Sequence, residues 1–363
     1  MQIPLWIEAK PKGTFKGLLF CSTSIMGMNA LACISFALLI TILSPIQAGG
    51  QISGSDSTAC LRFAGDCLLA GYYESSVGND AAYAFDEFDL LRNADVAMVN
   101  LECPITSRGK KVPKPYNFRM QPEFIAGLQR GGIDIVNLAN NHVYDYGSVG
   151  LFDTISYLDS VGICHVGAGR NSREAHQPAV ITVSRRRIGF LGYYGGGEAP
   201  EATEKKPGVA RPEIRLITSD IESLRHRDSV QFIVVNLHWG TEKARIPDQW
   251  QVQLGHHIID AGADVVIGHH PHVLQGIERY KTGVIVYSLG NFIFGGNSRS
   301  SYDTGVFEIR LTGNSTSYKF IPVRITNWKA QELQGEDAKS ILRHMSYVSG
   351  KFQRSLFSME ETR

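Results

Sequence analysis

An excess of charge of either sign is missing from this chain. Its 36 Lys and Arg face 35 Asp and Glu, for a formal charge of +1. A near-neutral balance without a basic stripe gives nucleic acid nothing to hold, and no nucleic-acid partner is expected. Cysteine pairs are missing too. The six cysteines stand at positions 21, 33, 60, 67, 103 and 164 with no CxxC spacing, which argues against a zinc knuckle or a dithiol redox motif. No repeat of fixed period and no long low-complexity tract is present, which excludes solenoids and arrays. No interior linker interrupts the chain beyond residue 57, so that part reads as one domain. With 43% apolar residues in 363, it is long enough to fill the core of a large α/β domain.

The first feature present is a leader. Lys10, Lys12 and Lys16 precede a stretch, 17–55, with no charged side chain. Its most apolar part, Ala30 to Ile42, is followed by Pro45 and by small residues at Ala48, Gly49 and Gly50. A positive start, an apolar core, a helix breaker and small residues mark an export signal. The roughly 20 residues from Met26 to Ile46 also suffice to cross a bilayer, and Ile46 stands where a cleavage site wants a small residue. Residues 1–50 are therefore expected to be a cleaved signal peptide or a retained membrane anchor, with the rest of the chain outside the cytoplasm. Residues 51–57 read as a Gly/Ser linker, 58–330 as the folded domain and 331–363 as a C-terminal helical tail. An oxidising compartment permits disulfides. Cys67 and Cys103, each following a carboxylate, are the one pair considered, and a bridge there is not expected.

Strand and helix alternate along the rest. Apolar runs predict strands over 58–63, 96–101, 133–138, around 165–166, 232–237, 263–267, 284–289, 305–311 and 319–325, with a hairpin over 180–193. Helical spacing predicts helices over 81–91, 122–130, 147–160, 214–225 and 250–261, and a surface helix over 337–352. The stretch 194–212 reads as a Gly-, Glu- and Pro-rich excursion at a mobile rim. This alternation argues for an α/β layered sandwich, and the hairpins for mixed rather than purely parallel sheets.

Polar residues recur at the C-terminal ends of those strands: Asp66, Glu102, Asn141 with His142, His238, and His270-Pro271-His272. Such ends converge on one edge of a sheet. Taken singly, each has a plain alternative. Gly65-Asp66 is a turn, Asn140-Asn141 tolerates left-handed geometry, and His238-Trp239 is a packed aromatic corner. Taken together they form a mixed oxygen and nitrogen donor set that suits Zn, Mn or Fe, as one divalent ion or two bridged by a carboxylate. No thiolate stands among them, which argues against a closed structural zinc site.

Six stretches carry a resemblance: FAGD (63–66), NLE (100–102), LANNHVYDYG (138–147), HWGTE (238–242), GHHPHVLQG (268–276) and SLGNFIF (288–294). In this order the chain resembles the CapA family of capsule poly-γ-glutamate synthesis proteins, which looks like a branch of the calcineurin-like metallophosphatase superfamily. The resemblance covers about residues 60–294. It implies a four-layer fold, two β-sheets flanked by helices, and an anionic surface polymer such as poly-γ-glutamate as partner, with a membrane synthesis complex.

Carried over residue by residue, it implies Asp66 as the first metal ligand and Glu102 as the carboxylate bridging two ions. Asn141, His238, His270 and His272 are the remaining ligands, and His142 acts on the leaving group or transition state. His269 falls to a bystander. One departure matters. The superfamily's phosphatases carry Asp-x-His in the first motif, and here the residues are Asp66-Cys67-Leu68. One ion therefore has one ligand fewer, which puts the second ion and phosphatase activity in question.

Three further residues are candidates. Asp145 lies three positions after His142, to orient its imidazole or to cap a helix. Glu242 is either an added ligand or general base, or a solvated side chain. Arg119 is either a bidentate holder of an anionic substrate group or an ordinary surface arginine. Two functions follow. The first is an exported metal-dependent enzyme that hydrolyses or transfers a phosphoester or γ-glutamyl amide bond. The second is a non-catalytic component of a membrane-associated synthesis and export complex.

Overall fold

The computed structural model describes residues 58–356. The leader, the linker over 51–57 and the end of the tail lie outside the described residues. Among the described residues no helix is long and apolar enough to cross a membrane.

Along the chain, β1 (Ala59–Leu68) leads through α1 (Tyr72–Val77) and α2 (Asp89–Arg92) to β2 (Val96–Leu101). Then come α3 (Ile125–Gly131), β3 (Ile135–Asn137), α4 (Gly147–Val161), β4 (Cys164–Val166), β5 (Ala168–Gly169) and α5 (Ser172–Ala175). The hairpin β6 (Ala179–Val183) and β7 (Arg186–Tyr194) precedes β8 (Gly208–Val209), α6 (Ile214–His226), β9 (Phe232–His238), α7 (Gln249–Asp260) and β10 (Val265–His269). The chain closes with β11 (Ile277–Tyr280), β12 (Gly283–Val286), β13 (Asn291–Phe294), β14 (Tyr302–Thr312), β15 (Ser315–Thr326), β16 (Lys329–Glu332) and α8 (Gly335–Ser349).

Two mixed sheets result. One runs β16-β15-β14-β1-β2-β3-β4, with β13 also paired to β1, and the other runs β11-β12-β10-β9-β7-β6. Each has a parallel centre. β1, β2, β3 and β4 pair parallel in the first, and β7, β9, β10 and β12 in the second. Antiparallel strands complete the flanks, β14 to β16 in one sheet and β6 and β11 in the other.

The central strands are buried on both faces, which is why they read as continuous apolar runs. Alternate residues part to opposite faces. Val96 and Met98 face the core between the sheets, with Phe63, Ile135, Phe190, Val234, Ile267 and Val286. Ala97, Val99 and Leu101 face the outer core with Leu128, Leu151 and Ile155 of the flanking helices. Across the molecule, Ile233, Val235 and Val266 pack against Ile217, Leu224 and Ile258 of α6 and α7. The layers are therefore helix, sheet, sheet, helix, the four-layer α/β arrangement expected.

Several elements differ from the sequence expectation. The helix over 81–91 is instead a short 3-10 turn (Tyr83–Phe85) and the one-turn α2. Phe88, at φ −110 and ψ 85, leaves helical geometry between them, yet Phe85, Phe88 and Leu91 are all buried as their spacing suggested. Tertiary burial, not helix propensity, satisfies that apolar face. β1 runs on through Asp66 to Leu68 instead of ending at Phe63. β11, β13 and β16 are short strands with no clear periodic signal. The tail helix α8 is amphipathic, and its inner face, Ile341, Met345 and Val348, belongs to the core between the sheets. The excursion after β7 is tied down by Arg211, whose guanidinium donates to the carbonyls of Tyr194, Gly196 and Ala199.

Candidate metal centre

The site is a row of polar side chains at one end of the core between the sheets. In the first sheet the registered neighbours across β13, β1, β2 and β3 are Asn291, Asp66, Asn100 and Asn137. In the second, Tyr194, His238 and His269 are neighbours across β7, β9 and β10. Strand alternation points Asn100, two residues past Met98, toward the opposing sheet, and does the same for His238 after Val234 and Asn236. Asp66 needs a further device. Phe63 and Asp66 are three residues apart and would point to opposite faces. Their partners on β2, Met98 and Asn100, are only two apart, so β1 carries a bulge there. The extra residue turns Asp66 onto the interior face.

Asn100 is the hub. Its amide nitrogen donates to Asp66 Oδ1 at 2.9 Å and Glu102 Oε2 at 3.3 Å, and lies 3.2 Å from His238 Nδ1. Its oxygen accepts from Asn137 at 2.9 Å and Asn140 at 3.3 Å. Asn140 in turn accepts from the backbone N–H groups of His142 and Val143. That side-chain turn presents Asn141 and His142 toward the second sheet, where Asn141 Oδ1 lies 2.9 Å from His238 Nε2.

The last two imidazoles come from a strained loop. His270 and His272 have φ of 96° and 58°, flanking Pro271. Backbone of this kind persists only where its surroundings hold it. The His270 ring lies 4.7 Å from that of His238. His272 Nδ1 lies 3.2 Å from Asp66 Oδ2, and its Nε2 3.6 Å from Glu102 Oε1. Glu102 Oε1 also faces His238 Nε2, at 3.7 Å. It thus faces both imidazoles.

These donors fit a divalent cation. Two sets hold ligand atoms close enough to share an ion: Glu102, His270 and His272, and Asp66, Glu102 and His238. Glu102 Oε1 and His270 Nδ1 are buried and have no hydrogen-bond partner, a cost of about 1–3 kcal/mol each that a cation would relieve. The electrostatics agree. Burial, then the Asp66 charge, push the Glu102 carboxyl well above its usual range. Burial would raise Asp66 as well, but its hydrogen bond to His272 and that ring's charge hold it low. Burial, then the other imidazoles, push His238 well below its ordinary value, and burial lowers His270. Both therefore stay neutral, the form that ligates metal. Burial opposes charge on His272, but Glu102 and Asp66 outweigh it and raise it to about 10. A cation would take over the neutralisation that its proton supplies.

Beside this cluster lies a second unit. His142 Nδ1 is 2.8 Å from Asp145 Oδ2, which also accepts from the Phe118 N–H at 2.6 Å. Lys114 forms an ion pair with the other Asp145 oxygen, donates to the Asn141 carbonyl at 2.6 Å and approaches His142 Nδ1 at 3.3 Å. Phe118 packs on the imidazole at 4.4 Å between centroids. Burial lowers the His142 pKa, with Lys114 adding to it against Asp145. With Nδ1 held by Asp145, Nε2 is the nitrogen left for chemistry. Asp145 thus contacts Nδ1 of His142, and it caps no helix, since the residue before α4 is Tyr146.

The fold thus brings together Asp66, Glu102, Asn141, His142, Asp145, His238, His270 and His272. Two candidates stand apart. Glu242 is exposed on the loop after β9 and belongs to neither ligand set, although its charge acts on Glu102 and His270. The half-buried Arg119 stacks its guanidinium over Tyr146 at 4.7 Å. His269, the expected bystander, is 1% exposed, with Nδ1 3.6 Å from Asp66 Oδ1 and its pKa lowered by burial to about 4. Lys114, Asn100, Asn140 and Asn291 were not singled out from the sequence. Lys114 lay in a basic loop that looked like surface, and the three asparagines lay inside matched motifs but were given no role. The four described cysteines, Cys60, Cys67, Cys103 and Cys164, are buried, and no disulfide joins any two of them.

Residues 60–296 match the family described as Bacterial capsule synthesis protein PGA_cap. The capsule biosynthesis protein CapA of Bacillus anthracis is 33% identical over 268 residues, covering 71% of this chain and 65% of that protein. This chain thus spans just under two thirds of that relative. The PGA biosynthesis protein CapA of Bacillus subtilis (strain 168) is 34% identical over 283 residues, covering 75% and 73%. Among solved structures, the NAD nucleotidase NadN of Haemophilus influenzae matches with a TM-score of 0.47 at 12% identity, covering 84% of this chain and 58% of that one.

Proposed function

Because this chain belongs to the bacterial capsule synthesis protein PGA_cap family, we propose that it is an exported, metal-dependent enzyme that handles an anionic surface polymer such as poly-γ-glutamate. The bond hydrolysed or transferred is a phosphoester or a γ-glutamyl amide. The observation that carries this reading is the pairing of two units at one sheet edge. A buried donor set holds partnerless oxygen and nitrogen atoms, and an oriented imidazole stands beside it.

Asp66, Glu102, Asn141, His238, His270 and His272 would hold one or two ions of Mn, Zn or Fe. The ion's contribution is to polarise a phosphoryl or carbonyl oxygen as a Lewis acid. The protein's own residues do the rest. Asp145 and Lys114 fix His142 so that Nε2 faces the reacting group, where it delivers a proton to the leaving atom or stabilises developing charge. Phe118 and Phe294 wall the imidazoles of His142 and His272 and keep bulk water from them.

The test is bound-metal analysis with turnover on phosphoester and γ-glutamyl substrates. His270→Ala should lose metal. His142→Ala should keep metal and lose about 10²–10⁴-fold in rate. Full activity in both variants would end this reading.

One observation favours a second reading, a non-catalytic component of a membrane-associated synthesis complex. Leu68 stands where a ligand histidine is found in the phosphatases this chain resembles, and it is fully buried in the outer apolar core. Copurification with a membrane partner, together with no hydrolysis of any substrate in the panel, would favour it.

A further inference from the structure

His272 shares a ligand set with Glu102 and His270, and the aim of its imidazole decides which ring nitrogen that set can use. His272 has its ring between two sets of acceptors. Nδ1 lies 2.7 Å from Asn291 Oδ1, and Nε2 faces the partnerless Glu102 Oε1 at 3.6 Å. Asn291 opens β13, in register with Asp66 on β1. That pairing places the asparagine amide and the aspartate side by side on the same face. Gly290 just before it accepts from the Asp66 N–H at 2.9 Å, so the strand carrying Asn291 is locked to the strand carrying Asp66.

We infer that Asn291 is the positioning residue of His272. Its Oδ1 accepts the Nδ1 proton, fixes that tautomer and leaves the Nε2 lone pair aimed at Glu102, where a metal ion would sit. The inference rests on the metal reading above. A ligating histidine whose second nitrogen is unheld can rotate or swap tautomer, and such outer partners typically alter metal affinity by about 10–100-fold. One carboxylate lies beside each ring nitrogen, so the carboxylates alone do not fix which nitrogen of His272 carries the proton. Asn291 decides it. An amide oxygen does this without adding a third negative charge to the buried Asp66 and Glu102.

The experiment is Mn²⁺ and Zn²⁺ titration by calorimetry, with metal content by mass spectrometry, on wild type, Asn291→Ala and Asn291→Asp. Long-range ¹H–¹⁵N correlation spectra of the Zn²⁺-loaded protein supply the tautomer. We expect Asn291→Ala to weaken one binding step by about 10-fold or more and Asn291→Asp, which keeps an acceptor, to retain it. His272 should show a protonated Nδ1 and a metal-bound Nε2. Unchanged affinity in Asn291→Ala, or metal on Nδ1 of His272, would overturn the inference while leaving the metal reading standing. A wild type that binds no ion would overturn both.

Discussion

Lys114 shows how a single side chain can matter at this site by holding the residues around it. It is 10% exposed and holds Asp145, which is fully buried, by an ion pair. Removing one partner of a buried pair leaves the other charge stranded, at about 3–5 kcal/mol. Lys114→Met should therefore lower the unfolding free energy by about that amount, while the double variant Lys114→Met/Asp145→Asn should recover part of it. Urea midpoints of the two single variants and the double variant measure this. Strictly additive losses would mean that the two groups do not communicate. Nothing in the sequence around Lys114 marks this role. It sits in a loop with Arg108, Lys110 and Lys111, three exposed cations, and only folding separates the one that turns inward.

At the scale of the element, the bulge in β1 is what makes Asp66 a site residue. An ideal strand would send Asp66 to the outer helices, where a lone carboxylate has no partner. The bulge works because Gly65 lets β1 approach the Leu289-Gly290 backbone. A Cβ at Gly65 would lie 1.9 Å from the Gly290 carbonyl oxygen. Gly65→Ala must push β13 away from β1. We expect a loss of about 1–3 kcal/mol or more, together with weaker metal binding, because both Asp66 and Asn291 ride on that junction. Thermal melts with metal titration check it, and wild-type values in both would refute the assignment. The expectation that β1 ends at Phe63 followed from reading Ala64-Gly65-Asp66 as a turn. The residues suit a turn equally well, and only the pairing with β2 and β13 makes them strand.

For the whole molecule, an ion held by this donor set would couple metal binding to stability. Its donors come from both sheets, Asp66 and Glu102 from the first and His238, His270 and His272 from the second or its loops. An ion bound there would clamp the sheets together at the edge where the apolar core ends. Ligand binding to the native state alone adds RT ln(1 + [L]/Kd), about 2.7 kcal/mol at a hundredfold excess over Kd. Chelation should thus lower the melting temperature by several degrees, and Mn²⁺ or Zn²⁺ should restore it. His238→Ala should abolish the shift. A melting temperature indifferent to chelator would count against the centre.

Much of this was legible along the chain. Apolar runs bounded by polar residues revealed the parallel strands, because strands buried on both faces must be apolar throughout. Histidine, asparagine and carboxylate at successive strand ends pointed to polar groups that meet, because parallel strands share an edge. Those are one-dimensional consequences of burial. What the tertiary structure decided is which polar groups meet. Asn100 and Asn291 are ordinary asparagines until strand register sets one on each side of Asp66. Asn140 becomes a scaffold only when its amide closes the turn that presents Asn141. The tail helix looked like surface because its pattern is amphipathic, and only the gap between the sheets shows where its apolar face goes. Register and bulges depend on the sum of many weak cross-strand contacts, and no short window of sequence contains that sum.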